Sequence, residues 1–360
     1  MEGSIQSLAG EEKAINGMMW RNSGKEKLWL LNIIRGISAL LIVLYHYTVQ
    51  YDKSIGHVMP YAITVPWGCY AVYTFFMLSG FLTIYTYREK TTAIAFLKKR
   101  FFRLYPMFWV CMGVTTLYML LIMPERAPSL KQFVLNLSMV PSFFGEEAVD
   151  GVYWTLAKEL MFYFGFAIVI LLGGMKRNTA WLWSWLGLAV IFSAYCCGSV
   201  RLPFQGGVSR FLIPEYIYAF LAGGAVFYLN HSPDWKGKGL MLGYMMICII
   251  LCFWMRSLNV AVFFALSLGV LVLCSKEWLN KITASMKWVF KPLLFIADIS
   301  YVLYLTHQFI GFGIIQMMEK YGMVAEAWVM VPIIHAVILA AILHFGIETK
   351  INQKLKKNRR

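Results

Sequence analysis

The stretch LWLLNIIRGISALLIVLYHYT, residues 28–48, decides the fold class of this chain. Its length falls in the range of roughly 17–25 apolar residues that a helix needs to cross a hydrocarbon core about 30 Å thick. The whole chain has the same character, with 59% hydrophobic residues, 14% charged residues and a mean hydropathy of +0.62. Soluble domains carry about 25% charged residues, so this composition predicts an all-α integral-membrane protein.

Apolar runs of this length recur and predict a polytopic helical bundle with about ten transmembrane helices. The expected spans are 28–48, 66–86, 104–123, 153–173, 180–197, 211–229, 240–255, 259–274, 293–316 and 326–348. They form one transmembrane domain, 28–348, between a polar cytoplasmic segment, 1–27, and a basic cytoplasmic tail, 349–360. Residues 1–27 lack the apolar core and small-residue cleavage site of a secretory signal, so the first span is expected to be retained.

The net charge of +15 reflects membrane topology, because the basic residues gather in segments that alternate along the chain. The cluster after span two and the C-terminal tail are the richest, and the positive-inside rule therefore places both termini in the cytoplasm. Anionic lipid headgroups are the expected partner of this charge, and nucleic acid is not. The seven cysteines show no CxxC or Cys/His metal spacing and are interpreted as apolar fillers.

Arg35 and His46 are the most informative polar residues, because an ionisable group within a span costs roughly 2.5–3.5 kcal/mol. Eleven residues of helix turn through about 1,100°, so both side chains project from one face, roughly 16 Å apart along the axis. An elongated ligand with an anionic head and a distant reactive end, such as acyl-CoA, fits that separation. The alternative is that Arg35 extends to the inner headgroups and His46 makes a structural hydrogen bond.

Arg100 and Arg103 lie three residues apart at the predicted cytoplasmic mouth of span three. Their spacing puts both guanidinium groups on the same side of a helix, and arginine binds phosphate through two parallel hydrogen bonds. The pair is therefore a candidate site for the phosphates of an acyl-CoA donor. Ordinary positive-inside flanking is the alternative interpretation.

Spans four and nine supply further polar candidates. Glu159 follows Trp154 in span four and could orient His46, bind an acceptor, or neutralise an interior arginine. In span nine Tyr304 and His307 face together and could line an acceptor cavity, although hydrogen bonds between helices would also explain them. His335 and His344 are half a turn out of phase, no HExxH or GxSxG pattern occurs, and no metal site is expected.

Four segments in order resemble acyltransferase family 3, the membrane acyltransferases that modify surface polysaccharides. The first runs from Arg35-Gly36 to His46, where ten residues separate the arginine from the histidine. The others are Phe75–Leu82 with Arg100–Pro106, Trp154–Tyr163 and Ile299–His307. Many members have Glu-Glu-Gln where this chain has Glu159-Leu160-Met161. That departure is similar to the branch that lacks a fused esterase-like domain.

The resemblance implies an O-acyltransferase of the bacterial cytoplasmic membrane that uses an acyl-CoA donor, with acetyl-CoA expected. It implies His46 as the catalytic base, Arg35 as its partner, and Arg100 and Arg103 on the donor side. Glu159 is a further catalytic candidate, and Trp154, Tyr304 and His307 are expected to contact the acceptor. That acceptor is expected to be a cell-surface or lipid-linked glycan. A small-molecule or lipid hydroxyl is the alternative, and a transporter of small anions or glycans is a weaker one because no matching repeat halves occur.

Overall fold

The computed structural model describes residues 28–59, 61–176, 179–196 and 216–357. Every regular element among these residues is helical and none is a strand, which confirms the all-α prediction for the described part of the chain. The predicted N-terminal segment 1–27, Cys197 and the last three residues of the tail lie outside the described residues.

Thirteen helices are numbered here in chain order. The first, α1, is Trp29–Tyr45, continued by a π-helical segment at His46–Gln50 and a final turn at Tyr51–Ser54. The others are α2 Ala71–Thr86, α3 Ala93–Ile122, α4 Leu130–Asn136, α5 Trp154–Leu171, α6 Ala180–Cys196, α7 Ile217–His231, α8 Trp235–Met255, α9 Leu258–Cys274, α10 Glu277–Ser285, α11 Lys291–Lys320, α12 Met330–Leu343 and α13 Thr349–Lys357. Short 3-10 turns occur at Pro66–Tyr70, Pro124–Arg126, Pro141–Phe144, Gly151–Tyr153, Gly174–Lys176 and Glu326–Val329, and a second π-helical segment at His344–Glu348.

Seven helical stretches in the described residues are long and apolar enough to cross a membrane, and α9 with α10 forms an eighth if a 75° bend is counted within one span. Each of the ten predicted spans overlaps one of the described helices. The chain is therefore a multi-pass membrane protein with at least seven candidate spans. The predicted number of ten, and the cytoplasmic location of both termini, stay predictions.

The third helix begins earlier than the sequence predicts. The segment from Lys98 to Arg103 was expected in a loop before a span at 104–123, but α3 starts at Ala93. The Thr92 hydroxyl accepts a hydrogen bond from the Ala95 N–H at 3.2 Å and caps the helix. Because alanine and lysine favour helix and Thr92 supplies the cap, the basic cluster lies in the helix itself.

The contacts divide the chain into two compact units, and each has its own packing. The first comprises the described residues up to Leu31 and those within Phe76–Phe96 and Phe164–Ser285. Helix α7 is its centre and is buried from Ile217 to Leu229. Helix α2 approaches α7 so closely that a Cβ on Gly80 would collide with the Phe220 carbonyl oxygen. Small residues at helix contacts are typical of membrane bundles.

The second unit comprises Asn32–Phe75, Leu97–Tyr163 and the chain from Met286 onward. Part of its core joins α11 to α3 and α12 through Ile310, Ile314 and Met318, which pack against Val114, Tyr118, Met323 and Leu339. All of the site residues predicted from the sequence belong to this second unit.

Helices α1 and α11 pack side by side in the second unit and run in the same direction. A Cβ on Gly36 would collide with the Leu293 carbonyl oxygen, and further along both helices the Tyr47 ring lies against Gly311. Beyond that point, the Tyr51 hydroxyl donates to Glu319 at 2.8 Å. Successive spans alternate in direction, so the predicted first and ninth spans should run the same way across the membrane. The parallel packing of α1 and α11 agrees with this expectation.

Candidate active site

His46 lies where α1 departs from regular α-helix. The π-helical segment His46–Gln50 begins at this residue, and π-helical turns inside α-helices are rare and frequent at functional sites. Thr48 is buried in this segment and donates its hydroxyl to the Leu44 carbonyl at 2.7 Å. The residue His46 is half-buried.

The structure brings His46 and His307 together, although 261 positions separate them in the sequence. His307 Nε2 lies 3.2 Å from His46 Nδ1, and the two rings meet edge to face with centroids 4.8 Å apart. Each ring also contacts its own helix through Nδ1. His46 Nδ1 is 2.8 Å from the Ile42 carbonyl, and His307 Nδ1 is 2.9 Å from the Tyr304 carbonyl.

These partners assign the proton on each ring. A carbonyl oxygen only accepts, so Nδ1 of each histidine carries the hydrogen and donates it. His307 Nε2 then has a lone pair that accepts from the His46 Nδ1–H, which is shared with Ile42. His46 Nε2 carries no hydrogen and keeps its lone pair. This nitrogen, which is not the one that contacts His307, can therefore take up a proton.

Tyr304 and Trp154 differ in their surroundings. The Tyr304 hydroxyl lies 2.8 Å from the Thr155 hydroxyl and 3.3 Å from the Val152 carbonyl, and its ring centroid is 5.8 Å from that of His307. Trp154, at the start of α5, is 38% exposed. Tyr304 therefore lies beside the histidine pair, and the proposed contact of Trp154 with an acceptor stays a prediction.

A cluster of arginines and carboxylates surrounds Arg35, eleven residues before His46 in the chain. Arg35 interacts electrostatically with Arg103, Glu159 and Asp298. Arg100 is buried, with its guanidinium carbon 4.7 Å from the centre of the Tyr163 ring. Arg103 keeps an exposed side chain. Three neighbouring guanidinium groups are suited to bind a phosphate group, because each planar fork can donate two parallel hydrogen bonds.

Glu159 belongs to this arginine cluster. Its carboxylate accepts a hydrogen bond from the Tyr163 hydroxyl, and its charge acts on Arg35, Arg100 and Arg103. The hydrogen-bond partners described for His46 are Ile42 and His307. The residue that orients the His46 ring in the structure is therefore His307, and a catalytic role for Glu159 stays a prediction.

The arginine–histidine face of α1 lies within a segment that matches a known family profile. Residues 29–346 match Acyl_transf_3, which is described as an acyltransferase domain. The chain belongs to this acyltransferase family. Acyltransferase MdmB from Streptomyces mycarofaciens is a similar protein, 22% identical over 231 residues that make up 58% of this chain and 59% of that relative. No solved structure matches the chain.

The structure also shows candidate functional residues that the sequence alone did not indicate. Tyr47 donates its hydroxyl to the His307 carbonyl at 2.7 Å, and the buried Asp150 carboxylate accepts from the Phe309 N–H at 3.2 Å. His57 and Glu319 form a further buried contact. Each pairing joins residues more than 150 positions apart. No local sequence pattern distinguishes Tyr47 from the other tyrosines of the chain, or Asp150 from the other aspartates in loops.

Proposed function

We propose that the protein is a membrane O-acyltransferase that moves an acyl group, acetyl in the first instance, from acyl-CoA to a hydroxyl of a cell-surface or lipid-linked glycan. The observation that carries this proposal is the histidine pair. His307 accepts from His46 Nδ1 and leaves the lone pair of His46 Nε2 available as a general base. We place the enzyme in the bacterial cytoplasmic membrane.

The reaction is a direct acyl transfer. His46 Nε2 takes the proton of the acceptor hydroxyl while that oxygen attacks the thioester carbonyl. The C–S bond breaks as the tetrahedral intermediate collapses, and the His46 imidazolium returns its proton to the CoA sulfur. The His307 Nε2 lone pair stabilises the imidazolium through the His46 Nδ1–H, the role that a carboxylate has in a catalytic triad. A positioned general base typically contributes about 10²–10⁴-fold to the rate.

The arginine cluster supports an acyl-CoA donor. Arg35 lies on the same face as His46, roughly 16 Å away along the helix axis, which suits a donor whose phosphates and thioester are far apart. Arg103 interacts electrostatically with Arg100, and the Arg100 guanidinium lies over the Tyr163 ring. In this proposal the three arginines bind the nucleotide phosphates, and Glu159 keeps their spacing.

The groups around the π-helical segment His46–Gln50 support a sugar acceptor. Tyr45 donates its hydroxyl to the Gln50 side chain at 3.0 Å, and the Gln50 amide donates to Ser54 at 3.0 Å. The turn at Pro66–Tyr70 packs on the same part of α1, since a Cβ on Gly68 would come within 2.5 Å of the Leu41 carbonyl oxygen. That turn carries Trp67, which is 48% exposed. Aromatic faces beside amide and hydroxyl groups are suited to bind sugars.

The test is acyl transfer by purified protein in detergent. Wild type and His46→Ala are incubated with radiolabelled acetyl-CoA and a glycolipid extract, and both CoA release and label in the lipid-linked fraction are measured. His231→Ala is the matched control, because His231 Nδ1 makes the same 2.8 Å contact with its own helix, to Phe227. We expect transfer by wild type and the control, and a loss of about 10²-fold or more in His46→Ala.

Equal transfer by wild type and His46→Ala would overturn the assignment of the base. If label enters a small hydroxylated lipid or another small molecule and no glycan, the proposed acceptor is wrong. The proposed acyl-transfer reaction would then still hold. Absence of turnover with acetyl, succinyl and longer acyl-CoA donors would overturn the proposed donor.

A further inference from the structure

A second buried cluster lies beyond the helical segments that continue α1 to Ser54. His57 Nδ1 is 2.9 Å from one carboxylate oxygen of Glu319 on α11, with side-chain exposures of 0% and 8%. The other carboxylate oxygen accepts the Tyr51 hydroxyl at 2.8 Å. Burying such a pair costs desolvation free energy that the contact itself rarely recovers. The cluster therefore requires an explanation other than stability.

The His57 ring is held on every side. Its Nε2 lies 3.0 Å from the Tyr47 carbonyl oxygen, and its faces meet the rings of Tyr51 and Tyr61 at centroid distances of 4.5 and 4.1 Å. Its backbone N–H donates to the Asp52 carboxylate at 3.1 Å. Because a carbonyl oxygen only accepts, Nε2 carries a hydrogen and donates it to the Tyr47 carbonyl. His57 is thus a fixed donor to Tyr47.

Tyr47 is consequently held at both ends. His57 binds its carbonyl, while its hydroxyl donates to the His307 carbonyl at 2.7 Å. Between these contacts its ring lies against Gly311, where a Cβ would collide with it. Tyr47 is the residue directly after His46, so the position of the Tyr47 backbone fixes the point from which the His46 side chain projects.

The π-helical segment explains why such a clamp is needed. A π turn contains one residue more than an α turn, and conversion to regular α-helix would rotate one side of the segment by about 100° relative to the other. Tyr47 and Tyr51 are tied to α11 through His307 and Glu319. His46 stands at the start of the segment, so a change in its winding would swing the imidazole away from His307.

We propose that His57 and Glu319 are positioning residues for His46. Together they hold the π-helical segment on α11 at a second point, twelve residues beyond His307, and thereby keep His46 Nδ1 on His307 Nε2. The kinetic consequence rests on the proposed function, whereas the structural consequence for the His46 ring does not.

Three variants test the proposal kinetically. His57→Phe and Glu319→Leu remove the hydrogen bonds, whereas Glu319→Gln can accept from Tyr51 and donate to His57 Nδ1, which preserves the hydrogen on Nε2. We expect kcat to fall roughly tenfold or more in the first two, with KM for acyl-CoA unchanged, and to stay within about threefold of wild type in Glu319→Gln. His335→Phe is the control, because it removes another contact between helices, with Tyr118 at 3.1 Å.

A second measurement needs no substrate. Diethyl pyrocarbonate labels the unprotonated nitrogen of neutral imidazole, and peptide mass spectrometry gives the labelling rate of each histidine separately. We expect His46 to be labelled at least roughly threefold faster in Glu319→Leu than in wild type, because a loosened segment opens more often. The labelling rate of His231 should not change.

Each result is decisive. An unchanged kcat and an unchanged His46 labelling rate in both His57→Phe and Glu319→Leu would overturn the positioning role. An equal loss of kcat in Glu319→Gln and Glu319→Leu would also overturn it. Faster labelling of both His231 and His46 would do the same, because it would indicate general destabilisation. If wild type turns over no acyl-CoA, the proposed function fails, and the labelling rates still decide the positioning role.

Discussion

His46 and His231 differ in what faces their rings, although both make the same local contact. Each places Nδ1 2.8 Å from the carbonyl four residues earlier in its helix. His231 then stacks on Phe227 at a centroid distance of 4.2 Å, whereas His46 meets the lone pair of His307. The second histidine is what makes the first a candidate base, because it can stabilise the charge that His46 acquires on taking up a proton.

Substitution of His307 should separate its role as acceptor from its role in packing. The Gln carbonyl of His307→Gln can still accept from His46 Nδ1, and the side chain of His307→Leu cannot. Hydrogen bonds to charged groups contribute about 1.5–3 kcal/mol, so kcat should fall roughly 10–150-fold in the leucine variant and less in the glutamine variant. Initial rates at saturating acyl-CoA measure both, and equal kcat in the two variants would contradict the prediction.

At the scale of helices, the contact between α2 and α7 depends on two glycines. A Cβ on Gly80 would meet the Phe220 carbonyl, and one on Gly223 would meet the Met77 carbonyl. These obstacles are backbone atoms, so relief requires the helices to move apart. The nearby ring pair of Phe76 and Phe220, stacked at 4.6 Å, would move with them.

Gly80→Ala should therefore destabilise the protein by about 1–3 kcal/mol, the usual cost of overpacking, and lower its Tm by several degrees. Gly187→Ala and Gly243→Ala are matched controls, because both glycines lie within helices and a Cβ at either has nothing within 4 Å. Those variants should keep or slightly raise the Tm, since alanine favours helix over glycine. Thermal unfolding in one detergent compares all three, and an unchanged Tm in Gly80→Ala would refute the close contact.

Asp150 joins the 3-10 turn Gly151–Tyr153, which precedes α5, to α11 in the second unit. Its buried carboxylate accepts from the N–H groups of Val152 and Phe309, both at 3.2 Å. It lies just before the candidate span Gly151–Leu171. Burial raises the pKa of Asp150 from 3.8 to about 7, although the two N–H donors act in the opposite direction.

The raised pKa predicts a pH dependence of stability. Between about pH 4 and 7 the folded state holds more protons on Asp150 than the unfolded state, so the contribution of this group is present below about pH 4 and is lost as the pH rises through 7. The wild-type Tm should therefore fall from about pH 5 to 8, and the Tm of Asp150→Asn should fall less. Melting curves across that range measure it, and parallel curves for the two proteins would rule out this role of Asp150.

At the scale of the whole molecule, orientation in the membrane follows from charge. The basic residues near Arg100 and in the tail should stay in the cytoplasm, which puts the segment between α1 and α2 on the outside. Green fluorescent protein fused to the C-terminus should fluoresce, and alkaline phosphatase should be active when inserted near Val58 but inactive at the C-terminus. An active C-terminal phosphatase fusion would reverse the proposed sides of donor and acceptor.

The sequence by itself determined the all-α fold class and the approximate positions of the apolar helices, and it predicts that Arg35 and His46 share a face. These depend on hydropathy and helical periodicity, which are local properties of the chain. The same local signals misplaced the start of α3, because hydropathy marks where apolar residues begin, whereas Thr92 and the helix formers after it start the helix earlier.

Only the tertiary structure decided which groups meet. It paired His46 with His307 and His57 with Glu319, and it grouped Glu159 with the arginines. These contacts depend on how α1, α3, α5 and α11 pack, and packing is set by side-chain shape across hundreds of positions. The proton arrangement of His46 follows from those contacts, so spacing along one helix could identify the residue but not the atom that acts as the base.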